Sequence, residues 1–378
     1  MLNITKIREN FPTTNSLTYL DHAAVAPIHL QTRQILDKYI NHFLNEGIRN
    51  YTIWVDKTEQ IRDDFAKFIG AEASEIAFIK NTSAGISILA NGIEFREQDN
   101  IIVPDIEFPA NIYPWLNLER KGVKVNFLKV ENGVIDLNEL ENLINQHTRV
   151  VSVSWVEFIN GFRNDLKAIS DICKKKSLEY GRKIYFCVDA IQGLGALKLD
   201  IRETEIDFLV ADGHKWFLAL EGAGILYCNK KILNEVYPVS VGWKSVKDPL
   251  NFTNINFDLE ESAKKFEEGS LNIAGILSLG ASLDLFNEYG IENIEKRILH
   301  LTNTAINLLQ NKNIEIISPL DNQYRSGILS FKTRDIEKDF LKLLANKVQL
   351  SKRGDILRIS PHFYNTEEEL ERFSSLIN

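Results

Sequence analysis

The chain has 378 residues, of which 44% are apolar and 25% charged, with a net charge of −8. These are the proportions of a soluble globular protein with a large core, and they exclude a disordered or fibrous chain. Three cysteines, Cys173, Cys187 and Cys228, are too few and too unpatterned for a disulfide framework or a zinc site, so no metal is expected.

The opening "MLNITKIREN" carries charges and no apolar centre, so no targeting segment is expected there. No later run has the length of a transmembrane helix. The expectation is a cytoplasmic protein with no membrane partner. From about residue 70 to 230 short β-rich runs alternate with longer amphipathic segments. "IAFIK" (76–80) leads into "TSAGISILANGI", "IIVP" (101–104) into "ANIYPWLNLERKG", and "VKVNFL" (123–128) precedes "LNELENLINQ". "VVSVSW" (150–155) precedes "DLKAISDICKKKSLEYG", and "IYFCV" (184–188), "DFLVA" (207–211) and "GAGILYC" (222–228) follow. Continuous apolar strands alternating with helices signal a mostly parallel sheet covered on both faces, an α/β fold. The only basic cluster, Lys174 to Lys176, falls within one of these helical segments and reads as a solvated face, so no nucleic-acid partner is expected. Past about residue 240 the polar, aromatic "NFTNINFDLEESAKKFEEGSLN" gives way to a helical region and the strand-like "SGILSFK" and "ILRIS". The predicted organisation is a large α/β domain at 16–260 and a smaller α+β domain at 261–378, completed by residues 1–15.

In open α/β sheets ligands sit at the carboxyl ends of the strands. The residues after "IAFIK" are Asn81, Thr82 and Ser83, opening a helix; after "IIVP" comes "DIEFPAN" with Phe108; "IYFCV" ends at Asp189 with Gln192 three residues on; "DFLVA" leads to His214 and Lys215. A helix N-terminus with hydroxyls binds phosphate. Asp189 suits a cationic ring nitrogen, Phe108 a ring face, and Lys215 an imine. One ligand calls for all four, pyridoxal 5′-phosphate. Taken singly, each has a structural reading: Thr82 and Ser83 as helix caps, Phe108 as core, Asp189 as a cap after its strand, Lys215 with its stem along the core and its ammonium in water.

The segment "VDAIQGLGALKLDIRETEIDFLVADGHKWFLALEGAGILY" resembles the cofactor-lysine region of class V aminotransferases, the fold type I pyridoxal-phosphate group that includes cysteine desulfurases, selenocysteine lyases and isopenicillin N epimerase-like proteins. The resemblance runs from "YLDHAAVAP" (19–27) through "IKNTSAGISILA", "DIEFPANIYPW" and "SWVEFINGFRNDL" to "LRISPHFYNTEEELERF" (357–373). It implies that Lys215 binds the cofactor covalently and shuttles a proton, that Asp189 pairs with the pyridinium nitrogen and that Gln192 donates to the ring oxygen. It further implies that Phe108 stacks on the ring and that Thr82, Ser83 and His214 hold the phosphate. Ser270 matches a hydroxyl residue that reaches the phosphate from a neighbouring subunit, which implies a homodimer with shared active sites. Arg358 matches the arginine that grips the substrate α-carboxylate.

Three departures from the desulfurase pattern stand out. "SKRGDIL", between Leu350 and Arg358, has no cysteine where desulfurases carry their nucleophile, which argues against persulfide chemistry on the protein. Asp212 stands where desulfurases often have a phosphate-binding serine, and is expected to turn toward backbone or His214. "EFING" replaces an asparagine-containing stretch beside the ring oxygen, leaving the roles of Phe158 and Asn160 open. The expected function is pyridoxal-phosphate chemistry on an amino acid or amine, by transamination, elimination or epimerisation, with His22 and Tyr113 as further proton donors to test; the alternative is a catalytically silent binding protein on the same fold.

Overall fold

The computed structural model describes residues 2–131 and 133–377. After a two-residue strand, β1 (Thr18–Tyr19), the strands of the central sheet follow as β2 (Ile76–Ile79), β3 (Asn100–Pro104), β4 (Lys124–Leu128), β5 (Thr148–Ser154), β6 (Tyr185–Asp189), β7 (Phe208–Asp212) and β8 (Gly224–Cys228). In space their order is β2-β8-β7-β6-β5-β3-β4. All neighbours run parallel except at β8, which is antiparallel to both β2 and β7. The inversion follows from its connection: residues 213–223 carry no helix, and a parallel return needs a crossover of a dozen residues or more. Every residue of β2, β3, β6, β7 and β8 is buried, which is why these strands read as unbroken apolar runs.

The helix Thr82–Gly92 starts at Asn81, whose side chain accepts from the Ala84 N–H. Leu166–Tyr180 is capped by Asp165 and ends at Gly181 in the left-handed region. Its Lys174, Lys175 and Lys176 pair with Glu205, Glu141 and Glu179 on the solvated face. Residues 109–121 do not form the single helix their pattern predicts. Pro109 and Pro114 remove backbone donors, and three short turns result, Pro109–Asn111, Tyr113–Leu116 and Asn117–Lys121.

The helices Leu30–Glu46 and Thr52–Ile69 pack with Ile273–Tyr289, which is buried along most of its length in the same core as the sheet. The C-terminal strands β9 (Glu315–Ile316), β10 (Leu329–Lys332), β12 (Ser351–Arg353) and β13 (Ile356–Ile359) form an antiparallel sheet in the order β12-β13-β10-β9, while β11 (Val348–Gln349) pairs in parallel with β1. This sheet has its own core, which takes in Leu20, and a bridge between Asp21 and Ser360 ties the chain's start to the end of β13. Residues near Asp21 are thereby brought beside the carboxyl ends of the central strands. Among the described residues no helix is long and apolar enough to cross a membrane, no group of side chains is arranged to hold a metal ion, and the three cysteines are buried free thiols.

Candidate active site

A cleft of about 620 Å³ opens at the carboxyl ends of β2, β6 and β7 and is closed from the other side by Arg353 and Arg358 of the β12–β13 hairpin. Thr82, Ser83, Phe108, Asp189, Gln192, His214, Lys215 and Arg358 all line it, together with Asp212 and Phe158. Of the site residues expected from sequence, Ser270 alone lies elsewhere, in a second cavity of about 480 Å³ with Phe78, Ile88 and Val239.

Lys215 follows β7 through a tight turn in which the Gly213 N–H donates to Ala223 O. A Cβ on Gly213 would stand 2.5 Å from Leu279 Cδ2 and 3.0 Å from Ala219 Cβ, so glycine is required to bring the lysine in. Burial draws the Lys215 pKa from 10.5 down to about 8, Arg358 and Arg353 assist, and Asp189 and Asp212 oppose the shift. Its Nζ stands 5.5 Å from the centre of the Phe108 ring. That ring is half exposed, with Phe158 edge-on at 5.2 Å, so one apolar face is presented to the cleft.

Asp189 ends β6, and its Oδ1 accepts from the Ile191 N–H at 3.0 Å. Desolvation raises it to about 6 against the pull of Lys215. Behind it lie two buried acids that sequence reasoning missed. Glu107 accepts from both the N–H and the hydroxyl of Ser154, the residue in register with Asp189 on β5. Glu157 accepts from Asn164 Nδ2 at 2.9 Å, and its second oxygen has no partner. Burial pushes Glu107 up to about 8 and Glu157 well above the carboxylate range, each reinforced by its carboxyl neighbours. The acids in "DIEFPAN" and "WVEFING" were visible, but their convergence behind one strand end needs the sheet order.

Several buried polar atoms on the cleft wall have no partner: Thr82 Oγ1, Asp212 Oδ1, His214 Nδ1, and Arg358 Nε and Nη2. His214 Nδ1 approaches Asp212 Oδ2 at 3.1 Å without hydrogen-bond alignment, so the expected turn of Asp212 toward His214 is present as proximity. Orphaned buried polar groups are costly, and their concentration on one wall marks a ligand site. The arrangement fits pyridoxal 5′-phosphate. Thr82 Oγ1 and the first N–H groups of the helix suit a phosphate, Asp189 a ring nitrogen, Phe108 a ring face and Lys215 an aldehyde.

Arg358 is 1% exposed. Its Nη1 donates to Phe158 O at 2.7 Å, and the nearest carboxylate oxygen is Asp21 Oδ1 at 3.8 Å, itself held by Ser351 Oγ. Of the acids of "NTEEELE", Glu367 pairs with Arg297 and Glu369 with Arg8, and among the described residues none pairs with Arg358, so a salt bridge to that segment does not account for it. Gln192 is tied on both sides, donating to Ala23 O and accepting from Trp216 Nε1, which leaves one Nε2 hydrogen for a ligand. The roles of His22 and Tyr113, open in the sequence, do not resolve to proton donation in this cleft. His22 is fully buried with one ring nitrogen 2.8 Å from Ser360 O and the other 2.6 Å from the Tyr364 hydroxyl, and Tyr113 is exposed away from the cleft. Asn160 is structural, donating to Gly133 O.

A family model described as aminotransferase class-V matches residues 18–373. A probable cysteine desulfurase of Methanothermobacter thermautotrophicus is 33% identical over 97% of this chain and 95% of its own. The structure of a cysteine desulfurase from Thermococcus onnurineus superposes with a TM-score of 0.90 at 25% identity, over 100% of this chain and 97% of that one. In fold alone, at 22% identity, the cystine C–S lyase C-DES in complex with cysteine persulfide superposes with a TM-score of 0.90 over 97% and 98% of the two chains.

Proposed function

The chain belongs to the class V aminotransferase family of pyridoxal-phosphate enzymes, and on that premise we propose that it is a C–S lyase, cleaving the carbon–sulfur bond of a cysteine-type amino acid by elimination and without a protein thiol. The observation that carries this reading is the composition of the cleft: among the described residues it is lined by Lys215 and by Arg358 with its unpartnered guanidinium nitrogens, and by no cysteine. Cys173, Cys187 and Cys228 are buried in the core, and burial pushes all three thiols up, Cys187 to about 12, away from the reactive thiolate. Relatives named cysteine desulfurases support the substrate class; the missing nucleophile separates the outcome.

When bound, pyridoxal 5′-phosphate supplies an electrophilic aldehyde and a ring that accepts the electron pair left at the substrate α-carbon. Arg358 holds the substrate carboxylate with the guanidinium edge that has no hydrogen-bond partner in the protein. Lys215 Nζ, with its proton affinity drawn down to about pH 8, takes the α-proton. Asp189 would hold the ring nitrogen, and Phe108, backed edge-on by Phe158, would offer its face to the ring. The sulfur leaves with the C–S electron pair as thiolate, persulfide or sulfide, and hydrolysis of what remains yields pyruvate and ammonium.

The proposal includes a homodimer. Ser270 lies outside its own chain's cleft, and large apolar side chains are exposed along residues 40–55 (Ile40, Leu44, Ile48) and 237–257 (Val239, Phe252, Ile255, Phe257), more than a monomer ordinarily leaves in water. The test is product analysis with cysteine and with cystine. Pyruvate and ammonium in equal amounts with released sulfur support elimination. Alanine as the carbon product, with sulfur left on the protein, overturns it.

A further inference from the structure

We propose that Arg353 is a second anion-binding residue of the cleft, selecting substrates that carry a carboxylate at the end remote from the α-carbon. For a C–S lyase, this end is the substituent on the leaving sulfur; that form of the inference rests on the function proposed above, whereas the preference for a dicarboxylate does not.

The placement comes from the β12–β13 hairpin. Ser351 is opposite Arg358, Lys352 opposite Leu357 and Arg353 opposite Ile356. Side chains alternate along a strand and opposed residues share a face, so Ser351, Arg353, Ile356 and Arg358 point to one side and Lys352 to the other. The contacts agree: Ser351 Oγ reaches Asp21 on the cleft side, while Lys352 pairs with Glu337 behind. Arg353 and Arg358 are therefore diagonal neighbours on the face that closes the cleft, and both line it. Diagonal positions on an antiparallel pair stand about 7–8 Å apart, which suits two anionic groups separated by several bonds.

Among the described residues no carboxylate lies within ion-pairing distance of Arg353, and its one side-chain hydrogen bond is a long contact of 3.4 Å to Lys352 O. The acid next along the chain, Asp355, pairs instead with Lys332, and Asp21 is held by Ser351 beside Arg358. The charge of Arg353 nonetheless reaches into the site, adding to the burial that lowers the proton affinities of Lys215 and Arg358 and opposing the burial that raises Asp21. Once the α-carboxylate neutralises Arg358, Arg353 remains an uncompensated cation at the cleft mouth. It occupies the stretch "SKRGDIL" in which the desulfurase pattern has its cysteine, so the hairpin that would deliver a nucleophile delivers a guanidinium. Gly354, at φ +58° with nothing within 4 Å of a Cβ, forms an unpacked tip, so changes at Arg353 do not disturb a core.

The test uses the holoenzyme and two amino acids of equal chain length, 2-aminoadipate and 2-aminohexanoate, titrated against the visible absorbance of the bound cofactor. Wild type is expected to bind the dicarboxylate about tenfold or more tighter at low salt, with the preference shrinking as salt screens a partly exposed pair. Arg353→Met brings the ratio to about one, and Arg353→Lys, a point charge without the fork, gives an intermediate value. A wild-type ratio near one, or a ratio retained in Arg353→Met, overturns the proposal. A parallel arm measures pyruvate from S-carboxymethylcysteine and S-methylcysteine. If neither yields pyruvate while the Arg353-dependent binding ratio holds, the C–S lyase reading falls and Arg353 stands. If both yield pyruvate with equal kcat/KM in wild type and Arg353→Met alike, the role of Arg353 falls and the lyase stands.

Discussion

Glu107→Gln should make the cofactor-free protein more stable in mild alkali and leave it almost unchanged in mild acid. Burial, reinforced by the Asp189 carboxylate, raises the folded-state pKa of Glu107 from 4.5 to about 8. The folded state therefore keeps a proton that the unfolded chain loses, and the sign follows: stability is greatest below about 4.5 and declines as pH rises toward 8. At about 1.4 kcal/mol per pH unit this window sets an upper limit of about 5 kcal/mol, and sharing the repulsion among three acids reduces the part assignable to Glu107 to about 2–3 kcal/mol. Glutamine matches the shape of the neutral acid, accepting from the Ser154 N–H while its Nε2 donates to Ser154 Oγ. Urea unfolding at pH 5 should then find wild type and variant within about 0.5 kcal/mol, and at pH 8 the variant ahead by about 2–3 kcal/mol. A variant destabilised by the same amount at both pH values would show that Glu107 is ionised and structurally paired, and would refute the reasoning.

Lys215 reacts as a free amine, so capture of pyridoxal 5′-phosphate by the apoprotein should accelerate with pH about a midpoint near 8 rather than 10.5, read from growth of visible absorbance; a midpoint above 10 would count against the desolvated amine. Arg358→Lys keeps the charge and loses the fork, and should weaken binding of α-amino acids by about 10- to 100-fold while sparing simple amines of the same length; equal losses for both would make Arg358 structural. Sedimentation should find a dimer, and Ser270→Ala should weaken cofactor retention measured by equilibrium dialysis; a monomer that holds the cofactor would remove Ser270 from the site.

Much of the site could be read from the chain because its members sit at strand exits. Thr82, Asp189 and Lys215 each follow a run whose apolar continuity announces a buried strand, and the topology of a parallel sheet brings such exits to one edge without further information. Residues placed by long-range pairing were harder. Arg353 belongs to the cleft because β12 and β13 share a register, and Asp21 because it bridges to Ser360, and neither relation has a local signal. The reversal of β8 was signalled, weakly, by the absence of a helical pattern between Asp212 and Gly224. His22 could not be decided from the chain, since a histidine after a short strand serves as donor or as structural group, and only its burial with both nitrogens engaged shows the structural one.

The charge balance of the cleft is the product of one physical cause acting on groups of opposite sign. Burial lowers Lys215 and Arg358 and raises Asp189, Glu107 and Glu157, and near neutrality it is the two glutamates that remain uncharged. What the cleft offers a ligand is an unpartnered hydroxyl at Thr82, a carboxylate at Asp189 and guanidinium nitrogens without hydrogen-bond partners at Arg358. A ligand that completes this set carries two anionic groups and a cationic one. A phosphate-bearing pyridinium together with an amino acid supplies that set of charges, and neither component supplies it alone. The two should therefore bind cooperatively, with the amino acid's affinity depending on the cofactor through the field at Arg358 and Lys215 as well as through the bond they share.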